Sequence, residues 1–162
     1  MAGIRTESPH ISALDGPDYA RSAGHPGDGG VVISQKPAKT RPRVLVVADE
    51  RLVRWSLSEM LTTARYQVVE AENGRQARVA MADEEHPVDV MVVDAKLPDA
   101  DGLLLVREAR RRCVTCPVFF MTADGFADGL GSDLRAGVDH VMVKPFDLDD
   151  FLRLVRQVCP AA

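Results

Sequence analysis

Val44-Leu45-Val46-Val47-Ala48-Asp49-Glu50 sets an unbroken apolar run directly before two carboxylates. Such a short continuous run fits a strand buried on both faces, as in a parallel sheet. Working outward, the period of the pattern switches again and again. Val53, Leu57, Met60, Leu61 and Ala64 recur at helical spacing. Residues 67–71 read as a second strand. Asn73 then stands as the cap of a helix over 74–84, with Ala77, Ala80 and Met81 inward. Residues 88–93 form a third strand interrupted only by Asp89, and Asp101 caps a helix carrying Leu104, Leu105, Glu108 and Arg111. A fourth strand over 117–121 opens on Pro117, where a missing N–H is tolerated. Residues 126–136 give a weak helix with Gly129 and Gly131 inside it, and 138–143 a fifth strand. Asp147 caps a last helix with Leu148, Phe151, Leu152 and Val155 on one face. This alternation predicts an α/β fold, a doubly wound five-stranded parallel sheet with helices on both faces.

Sheets of this kind place their chemistry at the carboxyl ends of the strands. Ala48-Asp49-Glu50 follows the first strand, Asp94 the third, Thr122-Ala123 the fourth and Lys144-Pro145 the fifth. Carboxylates, a hydroxyl and an ammonium therefore converge on one rim. Neighbouring carboxylates repel unless a cation or a proton lies between them, and Mg2+ favours carboxylates, waters and phosphate oxygens. The set suits phosphoryl transfer, where catalysis is mostly positioning and charge neutralisation. One carboxylate can serve as nucleophile and become an aspartyl phosphate. Lys144 can pair with a phosphate oxygen, and Thr122 can donate to another. Each residue alone has a plainer reading: Asp49 as a helix cap, Thr122 as a turn residue, Lys144-Pro145 as a loop. Asp94 is harder to dismiss, because an unpaired charge at the end of an apolar strand is costly.

These residues carry a resemblance. Val44–Glu50, Val92-Val93-Asp94-Ala95-Lys96-Leu97-Pro98-Asp99-Ala100-Asp101-Gly102, Met121-Thr122-Ala123 and Val143-Lys144-Pro145-Phe146 resemble the motifs of response-regulator receiver domains. The likeness runs over residues 43–158. Leu52-Val53-Arg54-Trp55-Ser56-Leu57 is similar to receivers of the nitrogen-regulation type, which usually precede an ATPase and a DNA-binding domain. Neither is recognisable in this sequence, so a single-domain form is expected. The resemblance implies a flavodoxin-like sheet of order 2-1-3-4-5. It makes Asp94 the acceptor of a phosphoryl group from a histidine kinase or histidine phosphotransferase. It makes Asp49, Asp94 and the backbone carbonyl of Lys96 ligands of Mg2+, with Glu50 a partial substitute. Thr122 and Lys144 would meet the phosphate, and the resulting shift would be read by an unidentified partner protein. Only weak self-phosphorylation and self-dephosphorylation are implied, so the domain signals rather than acting as an enzyme on other molecules.

Two positions depart from the family. Ala48 stands where the first of two acids is usual, which should weaken Mg2+. Val141 stands where an aromatic switch residue is usual, and Val cannot swing in and out as a ring does. Together they motivate a rival reading, a degenerate receiver that binds partners without phosphorylation. A flavin carrier on the same fold is disfavoured, because no phosphate-cradling loop follows the first strand.

The remaining sequence sets bounds. Residues 1–42 hold six of the 12 glycines and five of the 10 prolines, and read as a disordered tail. Residues 159–162 read as a C-terminal tail. The formal net charge of −4 argues against direct nucleic-acid binding. No apolar run is long enough to span a membrane, and no secretory signal opens the chain, so the cytoplasm is expected. Cys113, Cys116 and Cys159 suggest no disulfide framework. Arg107, Arg110, Arg111 and Arg112 read as a solvated face near a helix C-terminus. Trp55 reads equally as a partner contact or as a ring packed on a neighbour. His86 and His140 look isolated.

Overall fold

The computed structural model describes residues 41–113, 115–123 and 137–161. Five strands are present: β1 (Arg43–Val47), β2 (Gln67–Ala71), β3 (Val90–Asp94), β4 (Val118–Ala123) and β5 (His140–Lys144). Four helices are described: α1 (Arg51–Thr63), α2 (Gly74–Met81), α3 (Gly102–Arg112) and α4 (Leu148–Val158). All strand pairs are parallel, in the order β2-β1-β3-β4-β5. This is the doubly wound sheet and the strand order expected from the sequence. The expected weak helix over 126–136 and most of the expected N-terminal tail lie outside the described residues.

Side chains alternate across the sheet and feed two separate cores. Leu45, Val47, Met91, Val93, Val118 and Phe120 pack with Ala77 of α2 and Leu105, Val106 and Ala109 of α3. Val44, Val46, Val92, Phe119 and Met121 face the other way, onto Leu57 and Leu61 of α1 and Phe151 and Val155 of α4. His140 is not isolated, because its ring stacks on Phe119 with centroids 4.6 Å apart. His86 bonds its near neighbour Asp83. Cys159 and Ala161 pack beside the second core, and Tyr66 donates to the Cys159 carbonyl at 2.7 Å.

The helix starts follow their caps. Asn73 accepts from the Gln76 amide, Asp101 from Leu103, and Asp147 from Asp149 and Asp150. α1 differs: its cap is Glu50, with no side-chain cap bond, so Asp49 does not fill the capping role open to it on sequence grounds. Where α1 ends, the Tyr66 amide reaches back to Leu61 O and Arg65 to Thr62 O, with Arg65 at φ 71°. This is a Schellman closure. Within α3 it is Leu103, Leu105, Val106 and Ala109 that turn inward, while Leu104 is 53 % exposed. The helix begins at Gly102, as the Asp101 cap predicts, and its inward face is the one that packs on the sheet.

Candidate functional site

The polar rim forms because three strands end on chemistry-bearing residues. Asp94 is the last residue of β3, Lys144 the last of β5, and Thr122 the penultimate residue of β4. The sequence pattern placed them just beyond the strands. Ladder pairing instead continues past the apolar run, with Asp94 beside Met121 and Thr122 beside Val143. Such pairing depends on backbone groups rather than on side-chain polarity.

Asp94 is 5 % exposed, and its carboxylate is met from two sides. Lys144 Nζ lies 2.5 Å from Asp94 Oδ2 and 2.7 Å from Glu50 Oε1. The Lys96 amide donates to Asp94 Oδ1 at 3.4 Å. Burial works against the Lys144 ammonium, but its bonds to Asp94 and Glu50 outweigh that cost and hold its pKa above the ordinary lysine value. The amine therefore stays charged throughout the neutral range. The Lys144–Pro145 peptide is cis.

One carboxylate oxygen each from Asp49, Glu50 and Asp94 lie within 4.8 Å of one another. Asp49 and Glu50 are exposed, so one side of this cluster is open to water. Three hard oxygen donors with room for solvent fit Mg2+, which keeps several waters when bound. Glu50 thus joins the cluster more directly than its expected role as a partial substitute. Ala48 is fully buried and packs within the α1–α4 core.

Thr122 is 1 % exposed, and its hydroxyl donates to the Ala123 carbonyl at 3.4 Å. Val141 and Val143, on the same sheet face as Thr122, are 39 % and 36 % exposed. A groove of about 450 Å3 opens beside the site, where Leu52 and Val53 of α1 face Pro145 and Phe146. Leu52 is 76 % and Trp55 58 % exposed, so the indole is not packed away against a neighbour.

Other residues settle into structural roles. Arg110 is not part of a solvated face. It donates to the Gly137 and Cys116 carbonyls at 2.8 and 2.6 Å and pairs with Asp139. The Asp99 carboxylate receives the Gly74 and Arg75 amides at 2.7 and 3.0 Å, bonds that, the Gly74 one foremost, hold its pKa below the usual range against the opposing cost of desolvation. Cys116 is buried, which pushes its thiol up to about 12, with Cys113 adding to the rise. All three cysteines are free.

A buried aspartate, an ammonium bound to it and two flanking acids thus meet at the carboxyl edge of a doubly wound sheet. Residues 44–156 match the response regulator receiver domain family, and the chain belongs to it. Receiver domains are signalling domains that take phosphoryl groups from histidine kinases or phosphotransferases, and Mg2+ binding at an acidic pocket is typical of them. The chain is 36 % identical over 110 residues to the transcriptional regulatory protein PhoP of Escherichia coli K12. It is 39 % identical over 111 residues to the virulence transcriptional regulatory protein PhoP of Salmonella typhimurium LT2. These alignments cover 68 % of this chain and 48 % of either relative, so the chain spans about half their length. Among solved structures, it is similar to TrrA of Thermotoga maritima in complex with Mg2+–BeF. That match has TM-score 0.63 and 26 % identity, over 72 % of this chain and 98 % of TrrA. The non-phosphorylated HemR receiver domain of Leptospira biflexa is similar at TM-score 0.63 and 28 % identity, over 73 % and 94 %. No helix among the described residues is long and apolar enough to cross a membrane.

Proposed function

We propose that the chain carries a receiver, with 43–158 as its working unit, that accepts a phosphoryl group on Asp94 in the cytoplasm. The observation that carries this is the Lys144–Asp94 contact inside an acidic cluster. A buried carboxylate bonded to an ammonium 2.5 Å away is placed to act as a nucleophile. Asp49, Asp94 and the Lys96 carbonyl would hold Mg2+, with Glu50 beside them. The bound ion would supply neutralisation of the charge on the incoming phosphoryl group. Lys144 stands ready to pair with a phosphoryl oxygen, and Thr122 to donate to another once its hydroxyl turns from Ala123. The groove flanked by Leu52 and Pro145, with Trp55 near it, fits the approach of a histidine kinase or phosphotransferase. Output passes to a partner protein through the β5 face, without direct nucleic-acid contact.

The test is incubation with Mg2+ and a small phosphodonor, read by intact mass. One phosphoryl group should be gained by the wild type and none by Asp94→Asn. A gain that survives in Asp94→Asn would place the acceptor elsewhere.

Buried Ala48 and half-exposed Val141 favour a second reading, an interaction module independent of phosphorylation. No gain at high donor and metal would decide for it. Ala48→Asp separates the two further. The added acid is expected to tighten Mg2+ about tenfold, as outer partners of a metal site commonly do. It should also cost roughly 1–3 kcal/mol of metal-free stability, because it buries a polar group at a fully enclosed position. Metal titration and urea unfolding check the two halves. Unchanged metal affinity would mean that Glu50 already compensates.

A further inference from the structure

Arg54 is 6 % exposed, an unusual place for a guanidinium. Its bonds concentrate on one loop. Its Nη1 donates to the Ala48 carbonyl at 2.7 Å and to the Asp49 carbonyl at 3.3 Å. Its backbone amide donates to the Glu50 carbonyl at 3.0 Å. One residue of α1 thus holds all three carbonyls of the Ala48–Glu50 loop. The other arms of the fork run to β2 and the residue just after it, with Nε 3.2 Å from Glu70 and Nη2 3.0 Å from Glu72. Those two acids are 47 % and 61 % exposed, so the ion pairs themselves add little stability. They do offset the arginine's charge and fix the plane of the fork.

The loop so fastened projects Asp49 and Glu50, two of the three clustered carboxylates. Ala48 offers no polar side chain of its own to anchor it. We infer that Arg54 is a positioning residue for the cation site: it sets the backbone from which Asp49 and Glu50 reach the metal. This rests on the reading of the acidic cluster as a Mg2+ site. A planar fork can hold two neighbouring carbonyls and two carboxylates together, and a lysine cannot.

The sign of the effect separates positioning from charge. A cation near a cation site repels it, so if Arg54 acted through charge alone, its removal would strengthen metal binding. If it served only to stabilise the fold, the folded protein would bind metal as before. Positioning predicts weaker binding.

The experiment uses the full chain and Mn2+ as the probe for Mg2+, counting free ion by electron paramagnetic resonance. Urea unfolding of each variant is followed in parallel. Arg54→Met is expected to bind about tenfold more weakly, in the range that partners supporting metal ligands show. Arg54→Lys keeps the charge with one donor group and should fall between the two, and it serves if Arg54→Met does not fold. Equal or tighter binding by the folded variants overturns the proposal while leaving the Mg2+ reading intact. Absence of saturable Mn2+ binding by the wild type overturns both.

Discussion

Lys144→Met is expected to slow phosphoryl transfer to Asp94 by about a hundredfold or more while tightening Mg2+ about tenfold. Removing one preformed charge-stabilising donor from a site of this kind typically costs that much in rate. The opposite sign for metal follows from the geometry. The ammonium sits 2.5 Å from Asp94 and 2.7 Å from Glu50, so without metal it is the cation that relieves their repulsion. Replaced by an apolar chain of similar length, it leaves three carboxylates facing one another, and a divalent ion gains what the ammonium supplied. Metal-free stability should fall by roughly 1–3 kcal/mol, because the buried Asp94 loses a charged partner. Saturating Mg2+ should restore much of it. The Lys144 pKa is held above its ordinary value, so the ratio of wild-type to variant rates should stay flat over roughly pH 6–9. Time courses by intact mass and a metal titration check these points. Equal rates with equal metal affinity would show that the Lys144 contacts are an exposed pair of little consequence.

The sheet and the identity of the rim residues were legible in the sequence for the same reason. Parallel strands buried on both faces leave unbroken apolar runs, and a charged residue terminating such a run stands out. Asp94 after Val90–Val93 is read in this way, whereas Lys144 ends the short apolar run 141–143 on the half-exposed edge strand β5. Contacts that join distant segments leave no local mark. Glu50 and Lys144 are 94 residues apart in the chain, and nothing in the pattern around either shows that they touch. Arg54 sits beside Trp55 in a helical stretch where an arginine is ordinarily solvated, and only the fold brings Glu70 and Glu72 to it. Arg110 misled for the same reason. Three neighbouring arginines suggest a solvated patch, yet its side chain turns in toward Gly137 and the start of β4. Leu104 misled through phase, since the apolar run 103–106 fits either stripe until the packing of Leu105, Val106 and Ala109 on the sheet is known.

Gly102→Ala is expected to destabilise the fold by about 3 kcal/mol and to slow labelling of Asp94 at least tenfold. The glycine is not needed for backbone freedom, because its conformation is ordinary. It is needed for proximity. A Cβ at Gly102 would run into the Asp94 carbonyl oxygen and lie 3.0 Å from Ala95 Cα. Both obstacles are backbone and cannot rotate away. They are also fixed, since the Ala95 amide is bonded to Met121 O at 2.8 Å and the Gly102 amide to Ala95 O at 3.0 Å. Relief must come from α3 moving outward or from the end of β3 giving way. The first pulls Leu103, Leu105 and Val106 from the core, and overpacking of this kind costs roughly 1–3 kcal/mol or somewhat more. The second displaces the Asp94 backbone, and errors of about 1 Å in a reacting group cost up to about a hundredfold. Urea unfolding measures the first route and intact-mass labelling of the folded variant the second. A variant with stability within about 0.5 kcal/mol of wild type and an unchanged labelling rate would mean that the helix start slides freely over β3. Asp94 would then owe its position to Lys144, the Lys96 amide and the sheet ladders.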